Sequence, residues 1–143
     1  MKIISVAIIA FLLLEIMNVI ALYFFPGSKY ANGVGVFKAW EESKNDPEIH
    51  NLIKYLVNWV AGTKLIFILL LITILLTVDA QDHYLFGITL VISISTFFWR
   101  LFPLIRKMDL EDQIEPENYS IVLGLMIISV IILFVLATVI SKV

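Results

Sequence analysis

The sequence predicts an all-α fold, a four-helix transmembrane bundle forming a single domain over residues 1–143. Two observations carry this. The chain is 61% hydrophobic and 15% charged, whereas a soluble globular chain is nearer half apolar and a quarter charged. The apolar residues are also gathered into four blocks of ~20 residues, the length an α-helix needs to cross a ~30 Å hydrocarbon core. No block alternates strictly, and each is about twice too long for a barrel strand. Lipid offers a backbone no hydrogen bonds, so each block must be a helix that satisfies its own.

The first span is expected over residues 3–25 and contains Glu15 and Asn18. Lys2, the apolar run and the small residues Val19 and Ala21 imitate a secretory signal. Glu15 and Asn18 interrupt its core, and the apolar stretch continues to Phe25. The segment is therefore read as a retained span. Pro26-Gly27-Ser28 stops that helix. Within the loop over residues 26–54, Asn32-Gly33-Val34-Gly35 reads as a turn. Phe37 and Trp40 are expected either in a solvated loop, with the tryptophan as an interface anchor, or along the interface as a lipid-sensing element. Asp46-Pro47-Glu48 is a helix start, with Asp46 as N-cap and Pro47 in the first position. That helix can run unbroken into the second span, residues 55–78. A tight turn, 79–83, leads to the third span, 84–105. An acidic connector, 106–118, leads to the fourth, 119–141.

Composition excludes several function classes. A net charge of −2 gives no basic field for nucleic acid. With no cysteine, disulfides, thiolate metal sites and cysteine nucleophiles are excluded. The chain carries no HExxH, Walker, GxGxxG or GxSxG pattern, and no cofactor is expected. Lys and Arg set the orientation. Lys2 and Lys142 lie on one side; Lys29, Lys38, Lys44, Lys54, Arg106 and Lys107 lie on the other. The loops 26–54 and 106–118 are therefore expected in the cytoplasm, with both termini outside a plasma membrane.

The informative residues are polar ones inside apolar spans. A charge near the bilayer centre costs roughly 2.5–3.5 kcal/mol on insertion scales, so each such residue is a functional-site hypothesis. Counting from the loop side, Glu15 and Lys64 lie at ~15 Å and ~14 Å depth, Asn18 at ~10 Å, Arg100 at ~8 Å and Asn58 at ~5 Å. Thr89, Ser93, Thr96, Arg100 and Pro103 form a stripe of helical period. Lys54, Asn58, Ala61, Gly62 and Leu65 share a face of the second span, with Lys64 at its shoulder. Together these predict a polar seam among the first three spans. Glu15, Asn18, Asn58, Lys64, Thr96 and Arg100 are its candidate ligand-binding residues; the alternative is structural, a buried Glu15–Lys64 ion pair with Arg100 snorkelling to headgroups and the other polar residues bonding between helices. Ser120-xxx-Gly124 in the fourth span suggests a helix–helix contact and a homo-oligomer. Asp79, Asp82 and His83 form a weak metal candidate at the outer turn. The acidic run Asp109, Glu111, Asp112, Glu115 and Glu117 reads as a solvated linker.

A carboxylate in the middle of the first of four short spans, Leu14-Glu15-Ile16, resembles the small multidrug resistance transporters. That resemblance implies a proton-coupled dimer with Glu15 as proton carrier. It covers the first span only. The long first loop, the scarcity of glycine in the spans, and Lys64 and Arg100 depart from the family's cation-drug pattern.

Two functions remain open. One is a membrane unit that binds or transports a small polar, anionic or amphiphilic ligand, with Lys64 and Arg100 attracting it and Glu15 exchanging a proton. The other is a non-catalytic scaffold or accessory subunit, whose seam holds its own helices or a partner's. A lipid-directed enzyme lacks a nucleophile or metal set at this level.

Overall fold

The structure, a computed structural model, describes residues 2–30 and 33–142. Asn32 of the expected turn lies outside the described residues. The first block forms α1, Ile3–Phe24, and the loop after it holds a 3-10 turn, Val34–Val36, and a short α2, Lys38–Ser43. Helix α3 runs unbroken from Pro47 to Thr77. The third block is divided into α4, His83–Ser95, and α5, Phe97–Leu110. Helix α6 spans Tyr119–Lys142. Four stretches, Ile3–Phe24, Pro47–Thr77, His83–Leu110 and Tyr119–Lys142, are long and apolar enough to cross a membrane. The only extended pairing among the described residues is one bridge between Phe37 and Ile114.

Local chemistry sets the helix ends. The Asp46 carboxylate accepts the amides of Glu48 at 3.1 Å and Ile49 at 3.2 Å, and Pro47 fills a position whose amide would be orphaned anyway. At Thr96 the helix tightens by one turn. Its amide reaches Ser93 O at 3.2 Å, and the Trp99 amide reaches Thr96 O at 3.1 Å. This three-residue spacing separates α4 from α5.

Helix α1 is the centre of the bundle. It packs on α3 on one side and on α4 and α6 on the other, while α4 pairs with α6 and α5 with the start of α6. Gly87 lets α4 approach closely: a β-carbon there would lie 2.4 Å from Thr138 Oγ1 and 2.7 Å from Ile4 Cδ1. Ser120 and Gly124 face inward and are buried, Gly124 against the Phe102 ring. The small-residue pair is thus packed within the chain, as a helix–helix contact against α5. At the end where the termini meet, the Ile4 amide donates to Ser141 Oγ at 3.0 Å, and Lys2 Nζ to Ser141 O at 2.8 Å.

The opposite end carries the loops; Glu111, Asp112, Glu115 and Glu117 are exposed there as expected, but the loops pack on one another around a few buried residues. Val36 and Ile114 are each 2% exposed and pack with Ile105, Phe37, Met108 and Tyr119 into a small core. Lys38 N donates to Gln113 O at 3.0 Å and Glu115 N to Val36 O at 2.8 Å. Ion pairs Lys29–Glu115 and Lys38–Asp112, both 2.8 Å, flank this clip. Trp40 is buried with its ring 4.8 Å from that of His50, so it is a core residue of the cap rather than an interface anchor. Gly35 is required where the loop crosses itself, since a β-carbon would fall 2.0 Å from Gly27 O. Asp109 is also no linker residue. Its side chain, 3% exposed, accepts the Ser120 hydroxyl and, at 3.0 Å, the Ser120 amide. A carboxylate from α5 thereby caps the positive end of α6.

Two outcomes follow from this packing. Gly87→Val should lower stability by ~1–3 kcal/mol through overpacking, read as a fall in the thermal midpoint in detergent. The second concerns pH. The hydrogen bond from Lys29, then its charge, holds the Glu115 carboxyl below its ordinary value, and the same bond raises Lys29 above 10.5. The Asp112 hydrogen bond likewise raises Lys38. The Glu115 contribution is present above its ordinary value of 4.5 and is lost as pH falls through the depressed one. The lysine contributions are present below 10.5 and are lost as pH rises through the raised values. Hydrogen exchange at the Lys38 and Glu115 amides, taken relative to intrinsic rates, should accelerate at both limits. Glu115→Gln should remove the acid limb.

Candidate functional site

The ion pair between the first two spans is built on a repeat. In α1, Ser5, Ile8, Leu12, Glu15, Val19 and Leu22 recur at alternating spacings of three and four. In α3, Val57, Ala61, Lys64, Ile68 and Leu71 do the same. Every one of these except Glu15 and Lys64 is buried. Spacing of this kind turns one stripe of each helix toward the other, as in a coiled coil. The helices are antiparallel, so Leu22 meets Val57 and Ala61 toward the loops, and Ile8 and Leu12 meet Ile68 and Leu71 toward the termini. Glu15 and Lys64 fall in the layer between. Lys64 Nζ donates directly to Glu15 Oε2; the lysine side chain is 28% exposed and the carboxylate 12%.

The remaining seam candidates divide. Asn18 is half-buried beside Glu15 on α1. Asn58 is exposed and donates to Lys54 O, four residues back in its own helix, at 2.9 Å. Thr96 is exposed and donates to Ser93 O at 2.6 Å. Arg100 is exposed, its guanidinium 5.6 Å from the centre of the Trp99 ring. The stripe Thr89, Ser93, Thr96, Arg100 and Pro103 therefore faces outward, and the expected three-helix seam reduces to a two-helix ion pair. Hydroxyls on outward faces find acceptors locally: Thr63, Thr73, Thr77, Thr89 and Ser129 each donate to the carbonyl four residues back. Helix interiors supply such bonds without tertiary help.

Two open cavities lie elsewhere, and neither is lined by Glu15, Lys64 or Arg100. The smaller, about 240 Å³, lies in the loop cap between Lys29, Phe37, Lys38 and Glu115. The larger, about 400 Å³, is a groove at the termini end. Ile9 and Leu12 of α1 and Ile72, Leu75 and Leu76 of α3 form its walls; Ser5, Val78, Ala80 and His83 form its outer end. His83 opens the buried stripe of α4 and is 3% exposed, as is Ser5. Ser5 Oγ lies 2.8 Å from His83 Nδ1, and His83 Nε2 lies 3.1 Å from Val78 O. A carbonyl can only accept, so Nε2 carries the proton. In the neutral ring Nδ1 then accepts from the Ser5 hydroxyl. This commitment of both ring nitrogens corrects the weak metal reading: Asp79 is exposed and Asp82 half-buried, and no group of three metal-capable side chains occurs among the described residues.

Ser5 was missed because a serine near the start of an apolar span reads as neutral. Its signal was its place on the α1 stripe with Ile8 and Leu12. No family model, curated protein or solved structure matches the chain.

Breaking the central layer should be costly one residue at a time. Glu15→Gln and Lys64→Met should each lower stability by ~1–3 kcal/mol, less than for a fully buried pair because the lysine is partly exposed. The double variant should recover most of that loss in a thermal unfolding cycle.

Proposed function

We propose that the chain is a four-span integral membrane protein that holds a single-chain amphiphile in the groove between α1, α3 and α4. The groove carries this reading. Its volume, about 400 Å³, lies within the ~300–1,000 Å³ range of small-molecule sites, which are mostly apolar with a few placed polar groups. Its polarity is graded along the bundle axis. Ser5 and His83 sit in the first turns of α1 and α4, at the level of the helix ends. Leu12 lies ~10 Å deeper. A polar headgroup at the rim with its chain directed inward matches that gradient.

Support for insertion comes from the outer surface. Leu13, Met17, Leu69, Leu70, Leu125 and Leu136 are all more than half exposed, and helices that are apolar all round suit lipid surroundings. The cation asymmetry supports an orientation with the loop end in the cytoplasm and the termini outside a plasma membrane. Glu15, held by Lys64 between apolar layers, supports a structural role for that pair rather than a transport or proton-carrying one. A scaffold or accessory subunit is the second reading. It draws on α3, which packs principally on α1 and leaves Tyr55, Trp59, Ile66 and Leu70 outward for a membrane-protein partner or a second copy.

A fatty acid carrying a photoreactive diazirine, added to the protein in vesicles, tests the groove. Crosslinks should concentrate on Ile9, Leu12, Ile72 and Leu75, and Leu12→Trp should reduce them by about tenfold, the loss of ~1.4 kcal/mol of binding. Crosslinks spread evenly over all outward faces would instead mark bulk lipid contact and favour the scaffold.

A further inference from the structure

We propose, resting on the groove reading above, that Ser5 and His83 are a nucleophile and base that accept an acyl group from an ester or thioester whose chain lies in the groove. Three independent features meet there. The first is hydrogen-bond polarity. Ser5 Oγ lies 2.8 Å from His83 Nδ1, where in the neutral ring the hydroxyl donates, while the Val78 carbonyl holds the opposite ring nitrogen at 3.1 Å. A nucleophile bonded to a base that is itself oriented by a third group is the arrangement general-base activation requires. Here a backbone carbonyl takes the orienting position that a carboxylate occupies in hydrolase triads.

The second feature is the N-terminus of α4. This 13-residue helix begins at His83 itself, and no side chain caps it. The Leu85 amide bonds Asp82 O at 3.1 Å, which leaves the amides of His83 and Tyr84 at the positive end of the helix dipole. An oxyanion developing near the imidazole would meet that field. The third feature is location. Ser5 and His83 lie in the first turns of α1 and α4 at the outer end of the groove, which runs inward from them past Ile9 and Leu12.

The step balances as ordinary acyl transfer. Ser5 Oγ bonds to the acyl carbon while its proton passes to His83 Nδ1. Collapse of the tetrahedral adduct breaks the bond to the alkoxide or thiolate, which leaves with the proton returned by His83. Water then attacks the acyl-serine, giving its proton to the same nitrogen, and the free acid departs with Ser5 regenerated. No oxidant, metal or further reactant is needed.

The test uses the full chain in vesicles and two fluorophosphonates, one with an ethyl group and one with a dodecyl chain. Intact mass and peptide mapping should show one adduct per chain, on Ser5, with Ser120 and Ser141 unmodified. Ser5→Ala should abolish the adduct. His83→Gln, which can still hydrogen-bond both neighbours, should slow adduct formation by ~100-fold, the low end of a general-base contribution. Thermal unfolding shows whether each variant is folded, and the adduct site in the unaltered protein decides the matter independently of both. No adduct on Ser5 in folded, unaltered protein overturns the proposal, even where the diazirine lipid maps to the groove. Labelling by the ethyl probe alone, with no lipid crosslinks in the groove, upholds the pair and removes the groove reading.

Discussion

The antiparallel contact between α1 and α3 depends on one ionic layer in an otherwise apolar repeat. Glu15 and Lys64 occupy positions that leucine or isoleucine would fill elsewhere on the two stripes. A heptad seam of aliphatic residues is tolerant of sliding, because one apolar layer resembles the next. Sliding by one heptad here moves Glu15 ~10 Å along its partner, opposite an aliphatic side chain, and leaves both charges unpaired. A polar residue at one core position specifies register at a cost in stability, and this is the best-attested use of buried polar groups. With register fixed, the turn after α3 is placed beside the start of α1. His83 is thereby brought to Ser5.

The two ends of the bundle are built differently. At the loop end the connections form a cap of their own: residues from the first loop and the α5–α6 connector enclose Val36 and Ile114, and ion pairs between exposed partners flank the clip. Exposed pairs contribute little individually, so the small apolar core and the paired backbone hold the cap. The other end has no such cover. There the buried polar groups Ser5, His83, Thr138 and Ser141 are distributed among three helices, and Thr138 Oγ1 has no hydrogen-bond partner. The apolar groove opens at this less completed end.

Much of the architecture was legible in the sequence, because span length and capping are local. The helix start at Asp46-Pro47 and its continuation into the second span follow from residues in immediate succession. The common level of Glu15 and Lys64 follows from helical rise. Facing was less legible. In the third span, Thr89, Ser93, Thr96 and Arg100 share the three-four period of His83, Gly87, Leu90 and Ile94, displaced by about one residue, or ~100° of rotation. Polarity favoured the first stripe as the inward one. The structure turns the second inward, since hydroxyls that bond their own helix lose little on an apolar face. The loop cap and the Ser5–His83 contact, whose members are 78 residues apart, join segments that no local pattern relates.

The bond between the Ile4 amide and the Ser141 hydroxyl also bears on the order of assembly. Ser141 is synthesised 137 residues after Ile4. The Ile4 amide in the opening turn of α1 therefore lacks this acceptor until α6 has been made, although Ser5 beside it can already meet His83 of α4. Closure of that end by α6 thus joins the two most widely separated segments of the bundle, and a chain cut short before α6 would leave that amide without its partner.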